Sequence, residues 1–158
     1  MSLRAEVVVA SNRAAAGVYP DETGPLIVSF LREQGFVCDA PVVVPDGDPV
    51  GAAIEAAVAG GARVVLTTGG TGLTPTDRTP EVTAPLLDRS VPGIAEAIRA
   101  AGIAQGVPTA VLSRGLAGVV GSCLVVNLPG SRGGVKDALG VLAPVLGHAV
   151  EQIVGSDH

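Results

Sequence analysis

Short runs of β-branched and aliphatic residues alternate along this chain with stretches whose apolar positions recur at helical spacing. Arg4 to Ala10 is an apolar run and predicts a first buried strand. Ser11-Asn12-Arg13 ends it, and a loop of small residues follows through Thr23. Pro25 to Gln34 predicts a helix: Leu26, Ile27, Phe30 and Leu31 share one face, Pro25 suits the first turn and Gly35 the stop. Phe36 to Val44 reads as a second strand, Pro45 to Pro49 as a turn, and Val50 to Ala59 as a helix. Asp48 suits the N-cap of that helix, with Pro49 behind it and Gly60-Gly61 as its close. Arg63 to Thr67 is the third strand.

Strands that alternate with helices of this length predict right-handed crossovers and an α/β fold with a largely parallel sheet. Ligands of such sheets bind at the carboxyl ends of the strands. The polar turns at 11–23, 45–49 and 68–79 all follow strands and should share one rim. The second half is less regular. A short helix is expected from Thr79-Pro80-Glu81 through about Leu87, with Thr79 as its cap, and another from Gly93 to Ala101, ended by Gly102. Thr109 to Leu112 reads as a short strand. Leu124 to Asn127 reads as a strand paired with Gly118 to Val120, followed by a helix from about Val135 to Leu146 that Pro144 interrupts. No linker, repeat or low-complexity tract divides the chain, so residues 1–158 are read as one domain.

The densest signal is the segment Val64 to Glu81. A buried-strand run empties into Thr68-Gly69-Gly70-Thr71-Gly72, then reaches Asp77-Arg78-Thr79-Pro80-Glu81. Glycines let main-chain N–H groups approach a ligand with no side chain in the way, and successive N–H groups form an anion-binding concavity. A carboxylate a few residues later can hold the cation such an anion carries. The segment therefore reads as a nucleotide or phosphate site. Thr79 meets the capping need of the next helix, which favours a functional reading of Asp77. Asp48 does the same for Asp46, although Pro-Asp-Gly-Asp-Pro is equally what a plain turn looks like. Ser131, Arg132 and Gly133-Gly134 offer a second cradle at a helix start, or an ordinary start capped by Ser131. Glu81 suits a first helical turn, and Asn127 suits holding a turn together. His148 and His158 are lone histidines without an expected ligand role. No Ser-His-Asp set and no GxxxxGK[ST] loop is readable.

Composition narrows the chemistry. Hydrophobic residues make up 47% of the chain but aromatics only 2%, so the core is aliphatic and ring recognition must rely on aliphatic walls and backbone groups. A net charge of −5 argues against a general nucleic-acid binder. Phosphate would need local cations or a metal, and Arg13, Arg78, Arg114 and Arg132 all sit in or beside polar turns. Cys38 and Cys123 lie apart in apolar runs and make neither a disulfide framework nor a zinc site, consistent with a reduced cytosolic setting. The start of the chain carries no signal-peptide pattern, and no apolar stretch reaches the roughly 20 residues of a membrane span. A cytoplasmic location is expected.

These residues also carry a family resemblance. Thr67 to Gly72 with Asp77 to Glu81 resembles the signature of the MogA/MoaB-type molybdenum cofactor biosynthesis proteins, whose domain also occurs in gephyrin. Ser11-Asn12-Arg13 with Gly17 to Asp21, Val44-Pro45-Asp46, Leu112-Ser113-Arg114 and Asn127 to Gly130 resemble the family's other loops. The resemblance implies a three-layer α/β fold, a mostly parallel mixed sheet with helices on both faces. It implies molybdopterin adenylyltransferase activity with Mg²⁺, in which the molybdopterin phosphate attacks the α-phosphate of ATP and pyrophosphate leaves. It further implies a homotrimer and hand-over of the product to a molybdenum insertase. The family's two acidic positions fall on Asp46 and Asp77, expected as catalytic and metal-binding. Thr68, Gly69, Gly70, Thr71, Gly72, Ser11, Arg13, Ser113, Arg114, Pro129, Gly130 and Ser131 are the expected substrate-binding residues. Two positions depart from the pattern: Asn12 stands where many members carry Asp, and the last turn reads Pro-Gly-Ser-Arg-Gly-Gly without a second proline. The alternatives are a non-catalytic molybdopterin carrier and a trimeric scaffold.

Overall fold

The computed structural model describes residues 2–155. Strand β1 (Arg4–Ala10) has the bounds expected from its apolar run, and it lies inside the sheet. A short helix α1 (Asn12–Ala15) occupies the loop after it, capped by Ser11, whose Oγ accepts from the Ala14 N–H at 3.1 Å. Helix α2 (Thr23–Glu33) follows and ends before Gly35, which takes a φ of +95°.

The expected second strand is two strands. β2 (Val37–Cys38) and β3 (Val42–Val44) both pair in parallel with β1, Cys38 opposite Ala5 and Val42 opposite Val8. Between those pairs three residues, 39–41, stand opposite two, 6–7, so the edge carries one residue too many for a continuous ladder. Pro41 has no N–H to give, and the break falls where its absence matters least.

Helix α3 (Asp48–Ala59) leads to β4 (Val64–Thr68), which pairs in parallel with β1 on its other side. Asp48 is not the N-cap. Gly47 takes that position at φ +93°, and Asp48 lies in the first turn, where its charge suits the helix dipole. The chain then forms α4 (Thr79–Thr83), a 3-10 turn (Ala84–Leu86) and β5 (Arg89–Ser90), an exposed two-residue strand too short to announce itself by periodicity. Thr79 is likewise inside its helix rather than capping it.

Helix α5 (Pro92–Ala104) runs past Gly102, which is buried: a Cβ there would meet Ala110 Cβ at 2.6 Å. Gly102 thus serves close packing, and Gly106 at φ +88° comes after the helix end. The expected strand at 109–112 is a 3-10 helix (Pro108–Leu112), closed by local bonds from Ala110 N–H to Val107 and from Ser113 N–H to Ala110. β6 (Ala117–Val120) and β7 (Cys123–Leu128) form the expected hairpin, and α6 (Arg132–Leu142) and α7 (Leu146–Ile153) flank Pro144.

The sheet runs β2-β1-β4-β7-β6-β5, with β3 beside β1. β1, β2, β3, β4 and β7 are mutually parallel; β6 runs antiparallel to β7, and β5 antiparallel to β6. Strand alternation sorts the core onto two faces. Val7, Val9, Val64, Leu66, Leu124 and Val126 pack under α2, α5, α6 and α7. Val8, Val65 and Val125 pack under α3. The result is a three-layer α/β fold. No helix among the described residues is long and apolar enough to cross a membrane.

Asn127 is buried in the centre of this arrangement. Its Oδ1 accepts from the Leu116 N–H at 3.0 Å, and its Nδ2 donates to Thr67 Oγ1 at 3.0 Å and Thr83 Oγ1 at 3.2 Å. It joins β7 to β4, α4 and the entry of β6. Asn127→Ala strands a buried N–H and removes three bonds at once, so a loss of about 3 kcal/mol is expected. Thermal unfolding should show it as a drop of about 6–12 °C.

Candidate functional site

The carboxyl ends of β1, β3, β4 and β7 open on one edge, and the loops that follow them meet there. After β4 the chain turns through Gly69 at φ +91° and Gly70 at φ +69°. A Cβ on Gly69 would stand 2.5 Å from the Ala10 carbonyl oxygen, at the end of β1. A Cβ on Gly130 would stand 3.2 Å from Gly69 Cα. The glycine turn after β4 is therefore wedged between the end of β1 and the turn after β7, main chain against main chain. Thr68 Oγ1 donates to the Pro129 carbonyl at 2.6 Å, and Gly69 N–H to the Leu128 carbonyl at 3.2 Å. Thr79 Oγ1 donates to the Gly69 carbonyl at 2.9 Å. That bond explains why Thr79 is buried within α4 instead of capping it.

Two cavities flank this wedge. The smaller, about 460 Å³, lies over the end of β1 and is walled by Ser11, Tyr19, Asp21, Gly69 and Arg132 among others. The larger, about 620 Å³, is walled by Gly70, Thr71, Gly72, Asp77, Ser113 and Pro129 together with α5 and α6. Gly130 and Ser131 line both, so the cavities adjoin. Ser131 Oγ accepts from the Gly134 N–H at 3.1 Å and caps α6 at this junction.

Asp46 and Asp77 approach the glycine turn from different loops. Asp46 N–H donates to Asn12 Oδ1 at 2.9 Å, which ties the second loop to the first. A Cβ on Gly70 would stand 3.2 Å from Asp46 Oδ1. Asp77 Oδ2 accepts from the Thr74 N–H at 3.1 Å, closing its own loop. Burial pushes the Asp46 carboxyl above its usual range; the Asn12 backbone opposes this, and the neighbouring Asp77 charge adds to it. Asp46 thus binds its proton more tightly in the folded chain than in the unfolded one. Its contribution to stability is present at low pH and is lost as pH rises from the ordinary carboxyl value through the raised one. Asp77→Asn removes one raising influence, so the Asp46 titration midpoint should fall. Carboxyl-carbon NMR of the two proteins checks the direction.

Arg114 has a different place from the one expected of a phosphate contact. Its Nε donates to the Gly72 carbonyl at 2.9 Å, its Nη2 to the Asp77 carbonyl at 2.9 Å, and its fork grips Glu81 at 2.6 and 3.2 Å. The Arg114 hydrogen bond in turn holds the Glu81 carboxyl below its usual range. Arg114 straps the loop carrying Asp77 to the start of α4. Arg13 donates to Tyr19 OH at 3.0 Å and lies over its ring, 5.1 Å from the centroid; Tyr19 lines the smaller cavity and Arg13 does not. Ser113 Oγ lies 3.3 Å from Thr71 Oγ1 within the larger one. Burial pushes the Cys123 thiol up to about 12 and raises Cys38 as well, which suits neither to nucleophilic work at neutral pH. His158 lies outside the described residues. Asp137, Arg99 and Thr23 also line these cavities and carry no motif in the sequence; only the register of α6, α5 and α2 turns them inward.

A family model described as a probable molybdopterin binding domain matches residues 6–148. The chain belongs to the molybdopterin-binding domain family of molybdenum cofactor biosynthesis proteins. The Mog protein of Mycobacterium ulcerans, a solved structure, is 52% identical over 96% of this chain and 99% of its own, with a TM-score of 0.92. A molybdenum cofactor biosynthesis bifunctional protein of Synechococcus elongatus is 42% identical over 98% of this chain and 48% of its own length. The chain thus spans about half the length of such bifunctional relatives. A molybdopterin adenylyltransferase of Haemophilus influenzae is 37% identical over 87% of this chain and 71% of its own. The mixed, mostly parallel sheet is the one this family shares.

Proposed function

We propose that this chain is a molybdopterin adenylyltransferase, joining AMP from ATP to the terminal phosphate of molybdopterin with release of pyrophosphate. One observation carries the reading: the Gly69–Gly72 turn lies between two adjoining cavities, with Asp77 in the wall of the larger and Asp46, which lines neither, reaching the turn at Gly70. Two cavities suit two substrates whose phosphates must meet, and the glycine turn between them keeps side chains out of that meeting point. The relative named as an adenylyltransferase supports the same reaction class.

Carboxylate oxygens are the donors a hard divalent cation takes, and the Asp77 charge is close enough to Asp46 to raise its carboxyl. Mg²⁺ is held in that way, by one or two carboxylates with phosphate oxygens and water completing the shell. Asp46 and Asp77 would hold it, and it would offset the charge of the polyphosphates. Gly69 to Gly72 would bring main-chain N–H groups to the phosphates, and Ser131 would meet them at the shared wall. Phosphoryl transfer asks for placement and charge stabilisation more than for a strong base, which matches this equipment. The expected assembly is a homotrimer.

Incubation with ATP, Mg²⁺ and molybdopterin should release pyrophosphate stoichiometrically with adenylylated molybdopterin. Molybdopterin binding without pyrophosphate would make the chain a carrier instead.

A further inference from the structure

Within the larger cavity one carboxylate has no role in the proposed reaction. Asp137 lies on α6 and is half-buried in the cavity wall. Among the described residues it makes no hydrogen bond and no ion pair. Arg99, the cavity's one lining cation among the described residues, is already committed, its Nη1 donating to the Ser113 and Gly115 carbonyls at 3.2 Å each. A carboxylate side chain without a protein partner, half-exposed in a cavity wall, can exchange water for a ligand that brings hydrogen-bond donors. Asp137 also repels phosphate, so a substrate with one anionic end turns that end toward the main-chain N–H groups of the Gly70–Gly72 turn, which lines the same cavity.

We propose that Asp137 reads the heterocycle of the substrate, accepting two parallel hydrogen bonds from a ring N–H and the adjacent exocyclic amino group. This is the 2-amino-4-oxo edge of a pterin, and the assignment rests on the reading of the chain as a molybdopterin enzyme. Adenine fits poorly, since its amino group stands beside a ring nitrogen that is itself an acceptor. The remaining walls are aliphatic, with Ile98, Val107, Leu112 and Pro129 and no aromatic side chain. Ring faces find no stacking partner there, so discrimination falls to the ring edge.

The test is calorimetric titration, without ATP, using free pterin and lumazine, the 2,4-dioxo analogue that lacks the amino group. The wild-type protein is expected to prefer pterin. Asp137→Asn should weaken pterin binding about tenfold or more, the effect of losing a bidentate charge-assisted pair. It should weaken lumazine, which keeps a ring N–H but no amino group, by much less, and Asp137→Glu should restore most of the preference. ATP affinity should be the same in all three proteins. Equal binding of pterin and lumazine by the wild type, equal losses of both in Asp137→Asn, or a loss of ATP affinity instead would each overturn the assignment. Pterin discrimination that follows Asp137 in a protein releasing no pyrophosphate would sink the transferase reading and leave this one standing.

Discussion

Asp77→Asn is expected to reduce pyrophosphate release from ATP and molybdopterin by about 100-fold or more, the usual scale for removing one preorganised charge contact from a transition state. The substitution is chosen because it isolates charge. Asparagine keeps an oxygen for the Thr74 N–H, which Asp77 Oδ2 now accepts at 3.1 Å. The strap from Arg114 reaches the Asp77 main-chain carbonyl, not its side chain, and survives as well. The loop should therefore keep its shape, and the thermal midpoint should stay within a few degrees. Raising Mg²⁺ should recover part of the rate if the carboxylate serves the cation. A variant with full activity at ordinary Mg²⁺ would remove Asp77 from the mechanism.

Gly69→Ala should have the largest effect on stability of any single glycine substitution at the rim. The residue sits at φ +91°, and the new Cβ would press on the Ala10 carbonyl oxygen at 2.5 Å. That oxygen ends a central strand and has no side-chain freedom with which to yield. Strain at a left-handed position together with this clash predicts a loss of at least about 3 kcal/mol, and activity should fall with it as the turn moves. Gly140→Ala is the control. It lies in α6 with open space around the added methyl, so it should be neutral or slightly stabilising. Thermal unfolding of both variants, with the pyrophosphate assay, tests the contrast.

Much of the architecture was legible because it depends on local periodicity. The apolar run Arg4–Ala10 became β1 without adjustment, and the hairpin of β6 with β7 followed from two short apolar runs joined by a glycine turn. What failed depended on partners far along the chain. The break at 39–41 arises from register against β1, and the strand expected at 109–112 has local turns where a ladder partner was needed. The site was legible as a set of loops on one rim, because parallel strands force that arrangement. Capping does not separate Asp46 and Asp77 from their neighbours: the sequence pattern suits Asp48 and Thr79 to the capping positions, and Gly47 and Arg78 occupy them. What marks the two acids is their approach to one glycine turn, Asp46 at Gly70 and Asp77 at Gly72, a long-range property no spacing rule contains. Arg114 was visible as a cation beside a turn, but the carbonyls it grips come from residues 42 and 37 positions away.

The aliphatic character of the chain has an optical consequence. The sequence contains no tryptophan, and Tyr19 is its only tyrosine. That phenol lines the smaller cavity beneath the Arg13 guanidinium and is absent from the walls of the larger one. Apart from the weak glow of two phenylalanines, the near-ultraviolet emission of the whole protein originates at one wall of one compartment. A ligand entering that compartment must quench or shift it, while a ligand entering only the neighbour leaves it nearly untouched. The unlabelled protein thus carries a built-in reporter of which compartment each substrate fills, and in which order.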